Sequence, residues 1–163
     1  MGMKISYSGH EVIEMGIQIE QKGVDFYSLL SKRAKQPQLV DLFSWLAEQE
    51  KQHIIVFEEL RKSFEKSLIN SPYNWDEVSG YFQALIDTKV FPDTDDGYML
   101  SDELNDEIGA IQIAISFEKD NILFFQEIRE LADNGNRDII NNLIIQEKSH
   151  IMKLLEIKRN IIG

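Results

Sequence analysis

Apolar residues recur at three- and four-residue spacings through most of the chain, and no convincing period-two strand interrupts them. This spacing predicts four long helices. The first covers residues 10–34, with Ser8 as its N-cap and an apolar seam of Ile13, Ile17, Val24 and Tyr27. Pro37 marks the break to a second helix over 38–68, whose seam is Leu39, Leu42, Leu46, Phe57, Leu60 and Phe64. Asn70-Ser71-Pro72 stops it. A third helix is expected over 102–132, capped by Ser101, with Ile108, Ile111, Ile115, Ile122, Phe125 and Ile128 inward. Asn134-Gly135-Asn136 reads as a tight turn, with Gly135 suited to a left-handed helix end. The fourth helix follows over 137–162, facing inward through Ile140, Leu143, Leu154, Ile157 and Ile161.

Short links between the first and second and between the third and fourth helices imply two antiparallel hairpins. A crossover over 69–101 joins them, with a short helix expected from Trp75 to Thr88 behind Asn74. The predicted fold is therefore all-α: one domain over 1–163, a ferritin-like four-helix bundle with one long crossover. A homodimer is expected, and exchange of the crossover between protomers stays open. The acidic loop Asp93-Thr94-Asp95-Asp96-Gly97 lacks the ligand spacing of an EF-hand and is not read as a calcium site.

Each seam has a gap near its middle, and charge fills it. Glu20 interrupts the first seam, Glu50 and His53 the second, Glu118 the third, Glu147 and His150 the fourth. An ordinary amphipathic helix keeps such residues on the opposite face. The charged positions also belong to an internal repeat. Gln49-Glu50-Lys51-Gln52-His53-Ile54 returns 97 residues later as Gln146-Glu147-Lys148-Ser149-His150-Ile151. Glu and His three apart share one helix face and can reach one ion. Helical di-metal carboxylate proteins use such a pair from each of two helices and a lone Glu from each of the other two. Glu20 and Glu118 are those lone partners.

Four ionised carboxylates buried without partners would cost more than the whole stability margin of a domain. They could instead stay protonated, giving a purely structural acidic bundle. Two divalent cations answer the problem better, because four carboxylates balance two M²⁺ ions and each metal gains one imidazole. Mixed oxygen and nitrogen ligation suits iron or manganese better than calcium.

Composition narrows the remaining classes. A net charge of −11 argues against nucleic acid as partner. The absence of cysteine excludes disulfides, thiol catalysis and Cys-ligated metal. No apolar run is long enough to cross a bilayer and no signal-peptide core opens the chain, so cytoplasmic location is the expectation.

At these residues the chain resembles the rubrerythrin family of the ferritin-like superfamily. Glu20-x-x-Gly23-x-x-Phe26-Tyr27 is similar to its first-helix motif, and Glu50-x-x-His53 and Glu147-x-x-His150 to its second and fourth. Phe117-Glu118-Lys119-Asp120-Asn121-Ile122-Leu123-Phe124 resembles the third-helix motif of the shorter members. The resemblance implies a di-iron centre held by Glu20, Glu50, His53, Glu118, Glu147 and His150, with manganese or zinc as substitutes. It makes Glu50 and Glu118 candidates for bridging or near-bridging roles, without spacing deciding which glutamates bridge, and Tyr27 an outer hydrogen-bond donor to a ligand carboxylate. It implies reduction of peroxide or O₂, with a ferroxidase or iron-handling role and a metal-binding bundle without turnover as the alternatives.

Two departures matter. Rubrerythrins with a rubredoxin module bind a further iron through cysteines, which this sequence lacks, so electrons are expected from a separate donor such as a rubredoxin-type protein. The position three after Glu118, where a redox-exchanging glutamate is expected, holds the neutral, weakly ligating Asn121.

Overall fold

The structure is a computed structural model and describes residues 9–67, 80, 84 and 106–163, with only the backbone of 65–67. Four helices account for it: α1 (Gly9–Arg33), α2 (Pro37–Ser67), α3 (Glu107–Leu131) and α4 (Asn134–Ile162). Their packing forms a four-helix bundle, and no strand occurs among the described residues. None of the helices is long and apolar enough to cross a membrane. The expected N-caps Ser8 and Ser101 lie outside the described residues. So does the short crossover helix, apart from Gly80 and Ala84, both of helical backbone.

Cross-helix contacts fix the directions. Ser31 meets Ser44 at 2.8 Å and Arg61 meets Glu14 at 3.1 Å, so α1 and α2 run antiparallel. Arg129 bonded to Asn141 makes α3 and α4 antiparallel as well. Ser63 paired with Asn136, and His53 with Gln146, make α4 antiparallel to α2. Consequently α2 and α3 run parallel, and α2 ends at the opposite end of the bundle from the start of α3. Ferritin-like connectivity requires that arrangement.

Local chemistry sets the boundaries, and it corrects three expectations. Pro37 opens α2 instead of merely separating two helices, since its fixed φ and missing N–H suit a first helical position. The third helix starts at Glu107, later than 102, because Asp106 is extended and its carboxylate accepts from the Ile108 N–H. Gly135 is no left-handed helix end. Asp133 caps α4 by accepting from the Asn136 N–H at 2.9 Å, which draws 134–136 into the first turn. The chain reverses at Ala132, where the backbone is extended. Arg137 then donates from Nε to the carbonyls of Ala132 and Arg129, satisfying acceptors that the end of α3 leaves open.

Glu107 ties the other corner. Its carboxylate accepts from the backbone N–H groups of Lys35 and Gln36 and from the Gln36 side chain at 2.8 Å, pinning the α1–α2 link to the start of α3. Burial is the largest single influence on the Glu107 pKa and pushes it up, but these donors and the Lys35 charge together hold it below the ordinary carboxylate value. A depressed folded-state pKa stabilises above the unfolded value and loses that contribution as pH falls through the folded one. Glu107→Ala should therefore destabilise the protein by about 1 kcal/mol at neutral pH, a value discounted for partial exposure. Urea unfolding of both proteins at about pH 7 and about pH 3 checks this. A difference that persists unchanged in acid would refute the electrostatic origin.

The core lies in two apolar blocks. One contains Val12, Ile13, Phe57, Leu60, Phe64, Phe124, Phe125, Ile128 and Leu143. The other contains Phe26, Tyr27, Leu30, Leu39, Phe43, Leu46, Ile111, Phe117 and Leu154. Heptad-spaced stripes run from one block to the other: Ile13, Glu20, Tyr27 on α1 and Ile111, Glu118, Phe125 on α3. Every stripe passes through an ionisable residue midway. The polar layer is thus sealed on both sides by aromatic and aliphatic packing.

Candidate metal centre

Glu20, Glu50, His53, Glu118, Glu147 and His150 all meet in that layer. The first four named through Glu118 are 0 % exposed, as is Glu147, and His150 is 1 % exposed. α1 and α3 each supply one carboxylate, while α2 and α4 each supply a Glu-x-x-His pair. Among the described residues their donor atoms form two groups whose members all lie within 4.8 Å of one another. One group is Glu20, Glu50, His53 and Glu147; the other is Glu50, Glu118, Glu147 and His150.

Glu50 and Glu147 belong to both groups, and each divides its two oxygens between them. Glu147 Oε1 is 2.8 Å from His53 Nδ1, and its Oε2 is 3.4 Å from His150 Nδ1. Glu50 Oε2 is 3.6 Å from His53 Nδ1, and its Oε1 is 3.6 Å from His150 Nδ1. Of the two histidines, Glu20 Oε2 approaches His53 Nδ1, at 3.4 Å, and Glu118 Oε2 approaches His150 Nδ1, at 3.5 Å. Glu147 thus reaches both groups through its two oxygens, as Glu50 does, whereas Glu118 turns a single oxygen to the cage. Tyr27 supplies the reason, because its hydroxyl donates to Glu118 Oε1 and leaves one oxygen facing the cage.

The chemistry of the donor set fits metal ions. Both oxygens of Glu20, Glu50 and Glu147, Oε2 of Glu118 and Nδ1 of both histidines are buried with no hydrogen-bond partner. Buried polar atoms of native proteins are nearly always satisfied. Here the contacts are close but misaligned for hydrogen bonding, as lone pairs converging on a common point would be. Asn121 is fully buried one turn beyond Glu118.

Without metal the cage holds protons. Burial, reinforced by the neighbouring carboxylates Glu20 and Glu147, pushes Glu50 well above the usual range. Burial and Glu147 do the same to Glu118. Burial alone would lower His53, but Glu147, Glu20 and Glu50 raise it, while Glu147 is drawn low against burial by Glu118, His150 and His53. The Tyr27 phenol is raised by burial and by Glu118, so it stays a neutral donor. Without metal, Glu50 and Glu118 are thus pushed toward their protonated forms, while His53 and Glu147, 2.8 Å apart, favour their charged ones.

Several surrounding residues were not singled out by periodicity. Phe117 and Phe124 are buried beside the expected α3 seam, whereas Ile115 and Ile122 are only partly covered. The Trp45 edge meets the His150 ring at 5.3 Å between centroids, and Lys153 Nζ lies 4.0 Å over the Trp45 ring. Gly23 lets α1 approach closely, since a Cβ there would stand 2.8 Å from Phe117 Cζ and 3.1 Å from Glu50 Cγ. Alanine in a helix interior ordinarily gains about 1 kcal/mol over glycine. Overpacking costs about 1–3 kcal/mol, so Gly23→Ala should give a net loss of stability together with weaker metal binding through displaced Glu50. Denaturant unfolding and metal titration measure both; a stabilised variant with unchanged affinity would contradict the close-approach argument.

Comparison with known proteins agrees with this architecture. A search of curated proteins found no match. A crystal structure from Thermotoga maritima, described as a candidate ferritin-like diiron-carboxylate protein, is similar over 94 % of this chain and 96 % of that one. The two are 27 % identical, with a TM-score of 0.67. Residues 11–158 match the family Rubrerythrin, covering all four helices and every residue of the buried cage, and the chain belongs to that family.

Proposed function

We propose that the protein is a non-haem di-iron redox protein that reduces peroxide or O₂ with electrons from a separate donor. The observation that carries this reading is the pair of buried donor groups sharing Glu50 and Glu147. Two adjacent ions joined by carboxylates are the arrangement such a cage would hold, and the diiron-carboxylate description of the similar Thermotoga maritima protein supports iron as the metal. Manganese and zinc suit the same ligands less selectively. When bound, a di-iron pair supplies two electrons and two neighbouring Lewis-acid positions, enough to convert hydrogen peroxide and two protons into two waters.

The chain's own residues supply the rest. Glu20 and His53 would hold one ion, Glu118 and His150 the other, with Glu50 and Glu147 between them. Tyr27 keeps Glu118 oriented and remains a neutral donor beside the cage. The apolar blocks on both sides exclude bulk water, which strengthens every electrostatic contact in the layer. In this reading a separate donor supplies the electrons, since the cage itself has no cysteine-held second iron beside it. Cytoplasmic location and a homodimer fit this role as part of the same reading.

Ferroxidase activity is the second reading, favoured by Asn121 standing where a further carboxylate would be needed for ligand exchange. Stopped-flow mixing of the anaerobically iron-loaded protein with peroxide and, separately, with O₂ distinguishes the two. Peroxidase function predicts much faster oxidation by peroxide, and a faster reaction with O₂ selects the ferroxidase. Equal, slow reactions with both would overturn turnover altogether and leave a metal-binding bundle.

A further inference from the structure

The duplicated motif begins with Gln, a residue that the metal cage itself does not use. In the second copy, Gln146 reaches across from α4 to α2, where its Oε1 lies 3.0 Å from His53 Nε2. The other ring nitrogen of His53 faces the cage, 2.8 Å from Glu147 Oε1 and 3.4 Å from Glu20 Oε2. A neutral imidazole that presents the Nδ1 lone pair to a metal must carry its proton on Nε2, and that proton needs an acceptor. We infer that Gln146 is a positioning residue, which fixes the tautomer and ring orientation of His53 so that Nδ1 is ready to bind an ion.

This inference rests on the metal-binding reading above and adds a residue to it. Metal-bound histidines commonly donate their outer N–H to a carboxylate, a carbonyl or water, and loss of that partner weakens metal binding. Here the acceptor is an uncharged amide. It orients the ring without adding a further negative charge to a layer that already contains four carboxyl groups. Gln146 also adjoins Glu147 in sequence, so a single turn of α4 supplies both a carboxylate shared by the two groups and the acceptor for the histidine of α2. The two halves of the cage are therefore supported differently. The His53 half rests on Gln146, whereas the His150 half is braced by the Trp45 edge and by Tyr27 acting through Glu118.

The test compares wild type, Gln146→Leu and Gln146→Glu in the full chain. Gln146 is solvent-exposed, so neither change disturbs the core. Long-range ¹H–¹⁵N spectra of the zinc-loaded proteins report the histidine tautomers, and anaerobic Co²⁺ titration reports the affinity of each half. Gln146→Leu should weaken one of two binding steps by about tenfold, the lower end for loss of such a partner, and broaden or lose the His53 Nε2–H signal. Gln146→Glu should restore both, because a carboxylate also accepts. Unchanged affinity and an unchanged His53 signal in Gln146→Leu would overturn the inference. If wild type itself took up no ion, the functional reading would fall first and this role with it; two ions in wild type confine any failure to Gln146.

Discussion

Replacing Glu147 by alanine should abolish binding at both halves of the cage, whereas replacing Glu20 should abolish binding at only one. The asymmetry follows from how the oxygens are distributed. Glu147 presents Oε1 to the His53 side and Oε2 to the His150 side, while Glu20 contacts the His53 side alone. Glu20→Ala leaves Glu50, Glu118, Glu147 and His150 as an intact donor group. Glu147→Ala leaves each group one anionic ligand short and removes one of the two carboxylates that would be shared by both ions. Loss of an outer hydrogen-bond partner already weakens metal sites by about 10–100-fold, so loss of a shared ligand should exceed about a hundredfold at each step. Glu147→Gln is the companion variant, keeping the volume while removing the charge, and should behave like alanine. The measurement is metal per chain after anaerobic Fe²⁺ loading and gel filtration. A Glu147→Ala protein that still held two ions, beside a Glu20→Ala protein that held none, would reverse the assignment of shared and terminal carboxylates.

Glu118 shows where reading the sequence stops. Six inward charges were legible because each breaks an otherwise apolar seam, and no amphipathic surface helix requires that. The division of labour among the four glutamates was not legible. Glu50 and Glu147 occupy equivalent places in the repeat, and so do Glu20 and Glu118, yet the resemblance paired Glu50 with Glu118 as bridging candidates. What separates Glu118 from Glu147 is the Tyr27 hydroxyl, which occupies one Glu118 oxygen from a helix 91 residues away in sequence. Side-chain direction across a bundle leaves no trace in spacing.

The helix ends tell the same story on a smaller scale. Asn134-Gly135-Asn136 is good turn chemistry, but Asp133 is a better cap, and the side-chain bond it makes outcompetes the turn. Ser101 and Asp106 are both acceptable N-caps by residue type. The helix described here begins behind Asp106, next to Glu107, whose carboxylate anchors the α1–α2 link. Phe117 and Phe124 escaped the expected seam because they sit one residue before Glu118 and Phe125. The buried stripe of α3 is wide enough to take both, since α1 and α4 flank it on two sides.

The metal-free protein should lose stability as pH rises from about 5 to 8, and the metal-loaded protein should not. Glu50 and Glu118 have folded-state pKa values raised above the ordinary carboxylate value, chiefly by burial, so the folded state retains protons that the unfolded chain has released. For such groups the stabilising contribution is complete below the unfolded pKa, about 4.3, and declines as pH rises through the folded one. His53 is raised as well, so its contribution declines above the unfolded histidine value, near about 6.5. Glu147 has the opposite sign, and its contribution is lost only in acid, below the ordinary carboxylate range. Above about pH 5 Glu50 and Glu118 therefore decide the slope, joined by His53 above about 6.5, each extra proton held by the fold costing about 1.4 kcal/mol per pH unit. For a chain of this size that corresponds to roughly 3 °C or more per unit in the unfolding midpoint. Metal reverses the dependence, because bound carboxylates and imidazoles must be deprotonated and higher pH frees them. Ions at about a thousand times their dissociation constant would add about 4 kcal/mol per site. The gap between chelated and loaded protein should accordingly widen with pH, as thermal unfolding at several pH values would show. A chelated protein whose midpoint stayed level or rose over this range would mean that the cage carboxylates are already ionised, and the protonated state inferred for Glu50 and Glu118 would be wrong.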